Sequence, residues 1–360
     1  METPSTAIFS VRKRPGMYCG DMGVNGLHQL VQFFIDAVYE EARRGERGDL
    51  VLEAGEDGSV TLFSTSSIGP ATQLARMATQ GFSHLEVTFD NLHMWRVTLP
   101  IILALSSRYQ LDQWADGQQW RLLGEQGQPL GAPLEVTPRE PMPVPAERGL
   151  RIHLIPDPTL FEARAFDLAR LASSCNALAA LVPGLRVCFA DLRSGERTRW
   201  HLPGGLAQWA DHLTEGRSRL HAKPLFFETE CRDFRIQGAL QWCDEEAGEL
   251  LSFANAERLP METFFMRGVA RALRGAMAEL AGASSTKPFP WERVARELTG
   301  LISMNGDNDR MRFSSPAHHY LNDPVLAQDI HKELQTALVK TLREHQLTPG
   351  RLKLRPVRPR

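Results

Sequence analysis

The sequence predicts a mixed α/β protein: an α+β sandwich with helices laid on one face of a mixed sheet, followed by a smaller α/β unit. Three observations carry this. Residues 26–44 repeat apolar side chains (Leu27, Leu30, Val31, Phe34, Ile35, Val38) at three- and four-residue spacing, which marks a buried amphipathic helix. Two β-rich runs, Leu50-Val51-Leu52 and Val60-Thr61-Leu62-Phe63, flank Asp57-Gly58 and read as a hairpin. After the break at Pro203-Gly204-Gly205 come two strand patterns, a long helix, another strand and a closing helix. At 360 residues the chain is long enough for two cores.

The elements follow in order. A short helix is expected near residues 73–79, and an apolar segment follows at 97–106. Strands are expected within 111–123 and at 150–154, separated by a Pro-rich loop at 129–145. A second amphipathic helix is expected at 161–181 and a strand at 185–189. In the second unit the expectations are strands at 234–242 and 249–254, a helix at 264–281, a Ser/Thr/Pro linker at 283–290, a strand at 298–304 and a helix at 324–344. Domains of 1–210 and 215–345, with a basic tail at 346–360, follow from this order.

Composition narrows the class. The chain is 42% hydrophobic and 23% charged with net charge −2, an ordinary globular balance. No apolar run approaches the ~18 residues of a membrane span, and Met1-Glu2-Thr3-Pro4-Ser5 does not read as a secretory signal. The five cysteines are scattered without a C-x-x-C pair, so a reducing cytoplasm is the expected location and no membrane is implied. No P-loop, G-x-S-x-G or H-E-x-x-H occurs, and His318-His319 reads as loop surface rather than a metal pair. Arg351, Lys353, Arg355, Arg358 and Arg360 stand without an acid among the last ten residues. They read as a solvated terminus or as a weak DNA contact indifferent to base sequence.

Val11-Arg12-Lys13-Arg14-Pro15-Gly16-Met17-Tyr18-Cys19-Gly20-Asp21, followed by Gly26-Leu27-His28, resembles the opening of the ATPase region of the bacterial gyrase B and topoisomerase IV B proteins. These are type IIA topoisomerase subunits of the GHKL (Bergerat-fold) superfamily. The likeness continues at Asp57-Gly58-Ser59-Val60, Ala104-Leu105-Ser106, Pro156-Asp157-Pro158-Thr159-Leu160-Phe161, Ala239-Leu240-Gln241-Trp242 and Phe253-Ala254-Asn255. It implies a GHKL-type α/β sandwich and a transducer-like (ribosomal S5 domain 2-like) α/β domain. The family's TOPRIM and cleavage modules have no counterpart expected here.

The resemblance also implies a nucleotide site, and this chain departs from it at each part. The family's first long helix carries a general-base Glu and, four residues on, an Asn that holds Mg²⁺. Here Phe33 occupies the base position and Ala37 the metal position, beside Asp36. The adenine-binding Asp corresponds to Ser64, and Ile68 stands in the bend that the family fills with glycine. The Gly-rich lid becomes a stretch containing Leu92, His93, Met94 and Trp95, without glycine, and the bulky pair tends to fill the site. The transducer lysine that reaches the terminal phosphate is replaced by His318. No catalytic, cofactor or metal residue is therefore expected, and no cofactor. The expected function is that of a gyrase-B-like pseudo-ATPase acting as an interaction or regulatory protein. Its expected partner is a protein, with gyrase and topoisomerase IV subunits or another DNA-associated complex as candidates. The alternative is a divergent ATP- and Mg²⁺-binding fragment of an ATP-dependent type II topoisomerase subunit.

Overall fold

The computed structural model describes residues 6–45, 48–65, 94–246, 248–283, 286, 289–307, 311 and 324–354. The chain divides into two compact units, Met1–Pro203 and Gly204–Arg360.

In the first unit, helices α1 (Thr6–Lys13), α2 (Gly16–Cys19) and α3 (Val24–Arg43) precede the hairpin β1 (Asp49–Ala54) and β2 (Val60–Ser64). Then come α4 (Met94–Ala104), β3 (Ser106–Ala115), β4 (Gln118–Glu125), the short β5 (Gln128–Pro129) and β6 (Leu134–Glu135), and β7 (Gly149–Pro156). Helix α5 (Leu168–Leu181), β8 (Arg186–Asp191) and β9 (Glu196–His201) close the unit. The sheet runs β5-β4-β3-β7-β2-β1-β8-β9, with β6 on β4. β1 and β8 are parallel while β1 and β2 are antiparallel, so the sheet is mixed.

All six apolar positions predicted for the first helix lie on the buried side of α3, none more than 1% exposed. Each contributes roughly 1.5–3 kcal/mol of gross burial energy. The helix begins where Asp21 accepts backbone N–H bonds from Gly23 (2.8 Å) and Gly26 (3.2 Å). A Cβ on Gly26 would lie 1.7 Å from the Asp21 carbonyl oxygen, so only glycine permits this close entry. The predicted hairpin is present, paired from Leu50 opposite Ser64 to Ala54 opposite Val60. Its turn is held by the Asp57 carboxylate, which accepts the Ser59 N–H at 3.0 Å.

Other expectations are corrected. The apolar segment at 97–106 is mostly helix α4, with Pro100 inside it, and β3 follows directly. The stretch 111–123 is a hairpin that turns at Asp116 and Gly117, both at positive φ. The helix expected at 161–181 begins only at Leu168, because Asp167 caps it by accepting the Arg170 N–H. The short helix expected at 73–79 lies outside the described residues. β9 has no counterpart among the expected strands: it is an edge strand of sequence Glu-Arg-Thr-Arg-Trp-His, too polar to show an apolar period.

His28, on the buried side of α3, accepts the backbone N–H of Asp167 through Nε2 at 2.9 Å and is 4% exposed. Burial, reinforced by the Arg170 charge and partly offset by Asp167, pushes its pKa down to about 4. Protonation removes the acceptor. The folded pKa lies below the ordinary histidine value, so this stabilisation is complete above about pH 6.5 and is lost as pH falls toward about 4. We expect the urea midpoint to decline through that window and His28→Gln to flatten the decline. An unchanged pH profile in the variant would assign the acid sensitivity to other groups.

The second unit contains α6 (Gly205–Leu213), β10 (Leu225–Cys231), β11 (Phe234–Trp242), β12 (Leu250–Ala254), β13 (Glu257–Leu259), α7 (Phe264–Leu280), α8 (Trp291–Ala295), β14 (Leu298–Asn305) and α9 (Pro324–Glu344). Its sheet runs β10-β11-β14-β12-β13, with β12 parallel to β14. Helix α6 packs on this sheet, its Trp209 ring 5.9 Å from Phe253, so the boundary falls at Pro203 rather than at 210. Helix α7 starts where the Thr263 hydroxyl accepts the Met266 N–H, and its Gly268 lies against the Ala327 carbonyl of α9. β10 is a further strand beyond those expected. Asn255 stands not in a strand but in the β12–β13 turn, at φ 52°, and its side chain bridges both backbone groups of Gly306.

The tail is also corrected. Leu347, Leu352 and Leu354 are part of the second unit's apolar core, none more than 5% exposed. Lys353 is ion-paired with Asp244, and Arg351 donates to the Gln346 carbonyl at 3.1 Å. The segment 347–354 is therefore a docked terminus rather than a solvated one. Arg355, Arg358 and Arg360 lie outside the described residues.

Candidate functional site

Phe33 and Ala37 are four residues apart on α3 and so share one face of it. Phe33 is 7% exposed and Ala37 is fully buried. Asp36, about 100° round the helix from Ala37, is half-buried and accepts the Gln32 side-chain amide at 2.8 Å. Ser64 ends β2, fully buried and opposite Leu150 of β7. Strand alternation points it away from Phe63. Phe63 packs with Val51 and Trp114 on the other sheet face, where Met142 and Val144 of the Pro-rich loop cover them.

Trp95, near the start of α4, is 1% exposed and meets Phe34 edge-to-face at 4.9 Å between ring centroids. It therefore seals α4 onto α3 on a face next to the Phe33–Ala37 row. Phe33, Asp36, Ala37 and Ser64 are thus brought onto two packed elements. Ile68, Leu92, His93 and His318 lie outside the described residues. Among the described residues, no group of three or more His, Cys, Asp or Glu side chains could hold a metal ion.

A polar cluster absent from the sequence-based expectations lies on the other sheet face. Asp112 of β3 is fully buried and accepts from Arg121 Nε (2.6 Å), Arg151 Nη2 (2.8 Å), Gln119 Nε2 (3.0 Å) and Gln110 Nε2 (2.8 Å). Glu140, from the Pro-rich loop, accepts from the same two arginines at 2.7 and 3.0 Å, and Arg151 lies over the Trp114 ring at 5.1 Å. The hydrogen bond from Arg121, together with Arg151 and against the cost of desolvation, holds the Glu140 carboxyl down to about 2. The available signal was an Asp and two Arg at alternating positions of three strands, which means one shared face.

No family model matches the sequence. A crystal structure of the B-subunit of the DNA gyrase from Myxococcus xanthus is 52% identical, with TM-score 0.84, over 97% of this chain and 99% of that one. The chain belongs to the DNA gyrase B family. The gyrase B protein of Synechocystis is 29% identical over 318 residues, 82% of this chain and 29% of that protein. Its Chlamydia muridarum counterpart is 30% identical over 273 residues, 69% of this chain and 33% of that protein. The chain thus spans about a third of the length of these gyrase B relatives. The 43K ATPase domain of Thermus thermophilus gyrase B, solved with an aminocoumarin, shares the fold at 22% identity and TM-score 0.70. The expected GHKL-type sandwich followed by a transducer-like α/β domain is therefore the gyrase B fold. No helix among the described residues is long and apolar enough to cross a membrane.

Proposed function

We propose that this gyrase B-family chain works without ATP hydrolysis, as an interaction or regulatory module for a protein partner. Gyrase or topoisomerase IV subunits, or another DNA-associated complex, are the partners the family relationship favours. The carrying observation is the Phe33–Ala37 face of α3. Hydrolysis in this fold needs a positioned carboxylate and a Mg²⁺ ligand on that row, and a phenyl and a methyl group supply neither. Both are packed away from water, so the described side chains do not fit a magnesium nucleotide. Ser64 offers a hydroxyl in place of a carboxylate, a weaker acceptor for a base amino group.

Loss of a general base alone typically costs ~10²–10⁴-fold in rate. We expect no Mg²⁺-dependent ATPase above background, and no heat of ATP binding by calorimetry at micromolar concentrations. A measured micromolar affinity would sink this reading and establish the second one, a divergent ATP-binding fragment of a topoisomerase subunit. The specific observation favouring the second reading is 52% identity to a chain described as the B-subunit of a DNA gyrase.

A further inference from the structure

Three large apolar side chains project into solvent on one side of the first unit: Phe9 of α1 (57% exposed), Leu123 of β4 (43%) and Leu130 just beyond β5 (66%). They belong to one continuous surface. Phe9 and Leu130 line a concavity of about 790 Å³ with Arg12, Lys13, Gln126 and Gln128. Leu123 and Leu130 line an adjoining one of about 400 Å³ with Arg108, His153 and Ile155. Leu130 and Glu125 are common to both. None of Phe33, Asp36, Ala37 or Ser64 takes part.

The surface is held in place by its backing. Ile8 and Val11 bury the other side of α1, and Arg12 ties the helix to the Ala104 carbonyl (2.9 Å) and to Asp157 (2.5 Å). The turn after β4 is fixed by bonds from the Gln126 and Gly127 N–H groups to the Ser107 and Ser106 carbonyls, at 2.7 and 3.1 Å. A preformed apolar groove is a docking feature rather than a folding one, because exposed Phe and Leu contribute nothing to the core.

Charge selects the occupant. The lining carries Arg12, Lys13 and Arg108 against the single carboxylate of Glu125. Arg12 is committed to Asp157, and Arg108 and Glu125 form an open pair at 3.4 Å that exchanges cheaply with another acid. Lys13 pairs with no acid among the described residues, its ammonium lying 5.9 Å from the Phe9 ring centre. We propose that this groove docks an acidic–apolar peptide segment of a protein partner, with two bulky apolar side chains seated in the two concavities and carboxylates beside Lys13 and Arg108. The inference does not depend on whether the chain binds nucleotide.

The test uses the full chain and a fluorescein-labelled synthetic peptide with two Leu or Phe anchors four residues apart on a Glu-rich background. A matched peptide has Lys in place of every Glu. Saturable anisotropy is expected with the acidic peptide only. Phe9→Ser with Leu130→Ser should weaken it at least tenfold while leaving the thermal melt unchanged, and Lys13→Glu should weaken it several-fold. The proposal is overturned by no binding of the acidic peptide, by equal binding of the lysine peptide, or by a double variant that binds as tightly as the parent. It is equally overturned if sedimentation finds a dimer of this chain that the double variant dissolves, since the groove would then be a self-interface.

Discussion

Asp112→Ala is expected to destabilise the first unit by about 3–5 kcal/mol, the usual cost of removing one partner from a buried ionic group. The reason lies in what remains. Asp112 is fully buried beneath Arg121 and Arg151, whose side chains are 22% and 20% exposed. Without it, two guanidinium groups share only Glu140, whose side chain is 40% exposed. Replacing the whole cluster with apolar groups (Asp112→Ala, Arg121→Met, Arg151→Met) should recover most of the loss, since no buried charge is then unpaired. Urea unfolding measures both variants, and a single-variant loss below about 1 kcal/mol would mean that water reaches the arginines. The same cluster is acid-sensitive in a definite direction. The folded pKa of Glu140 is depressed to about 2, so its contribution is present above the ordinary carboxylate range and fades as pH falls toward that value.

What was legible in the sequence was whatever a repeating apolar period could write. Helix α3 and strands β1, β2, β11 and β14 bury whole faces, and their patterns gave bounds within two residues or so. Elements whose stability comes from neighbours were not legible. β9 is held by pairing with β8 while four of its six residues are exposed, so no alternation marks it. The start of α5 depends on the Asp167 side chain and on the His28 acceptor, which comes from a helix far away in sequence. The α6 boundary was misplaced because a Pro-Gly-Gly break shows where a chain can turn, not which core the following helix joins.

The candidate site was legible in a different way. A resemblance located Phe33, Ala37 and Ser64, and burial then showed that the first two belong to packed surface. The Asp112 cluster was illegible because charged residues on strands read as solvent-facing until the Pro-rich loop is known to fold back with Glu140 and cover them. Glu140 is 28 residues from Asp112 in sequence, and no local pattern links the two. The groove beside Phe9 was invisible for the same reason: its walls come from α1 and from the β4–β5 turn, more than 100 residues apart.

Leu352→Ala together with Leu354→Ala is expected to cost about 2–5 kcal/mol per site, enough to unfold the second unit if its total stability is ordinary. Both side chains are buried, at 0% and 2% exposure, in the core built by α7, α9 and the second sheet. The backbone around them is held by bonds from Leu352 N to the Thr348 carbonyl and from Leu354 N to the Pro349 carbonyl, at 3.0 and 2.8 Å. This changes how DNA binding by the terminal basic residues must be tested. Deleting 351–360 would remove two core leucines along with the charges, so weaker binding could mean only an unfolded domain. Arg351→Gln with Lys353→Gln separates the two effects. Lys353 and Asp244 are 52% and 43% exposed, and such an open pair is worth little, so the melting temperature of this variant should stay near the parent's while that of the leucine variant drops sharply. If Arg351 and Lys353 touch phosphate, the plot of log affinity against log salt for random duplex should become shallower by about 0.9 for each phosphate no longer neutralised. An unchanged slope in a protein that melts normally would leave both residues with a structural role, tying the terminus to Asp244 and to the end of α9.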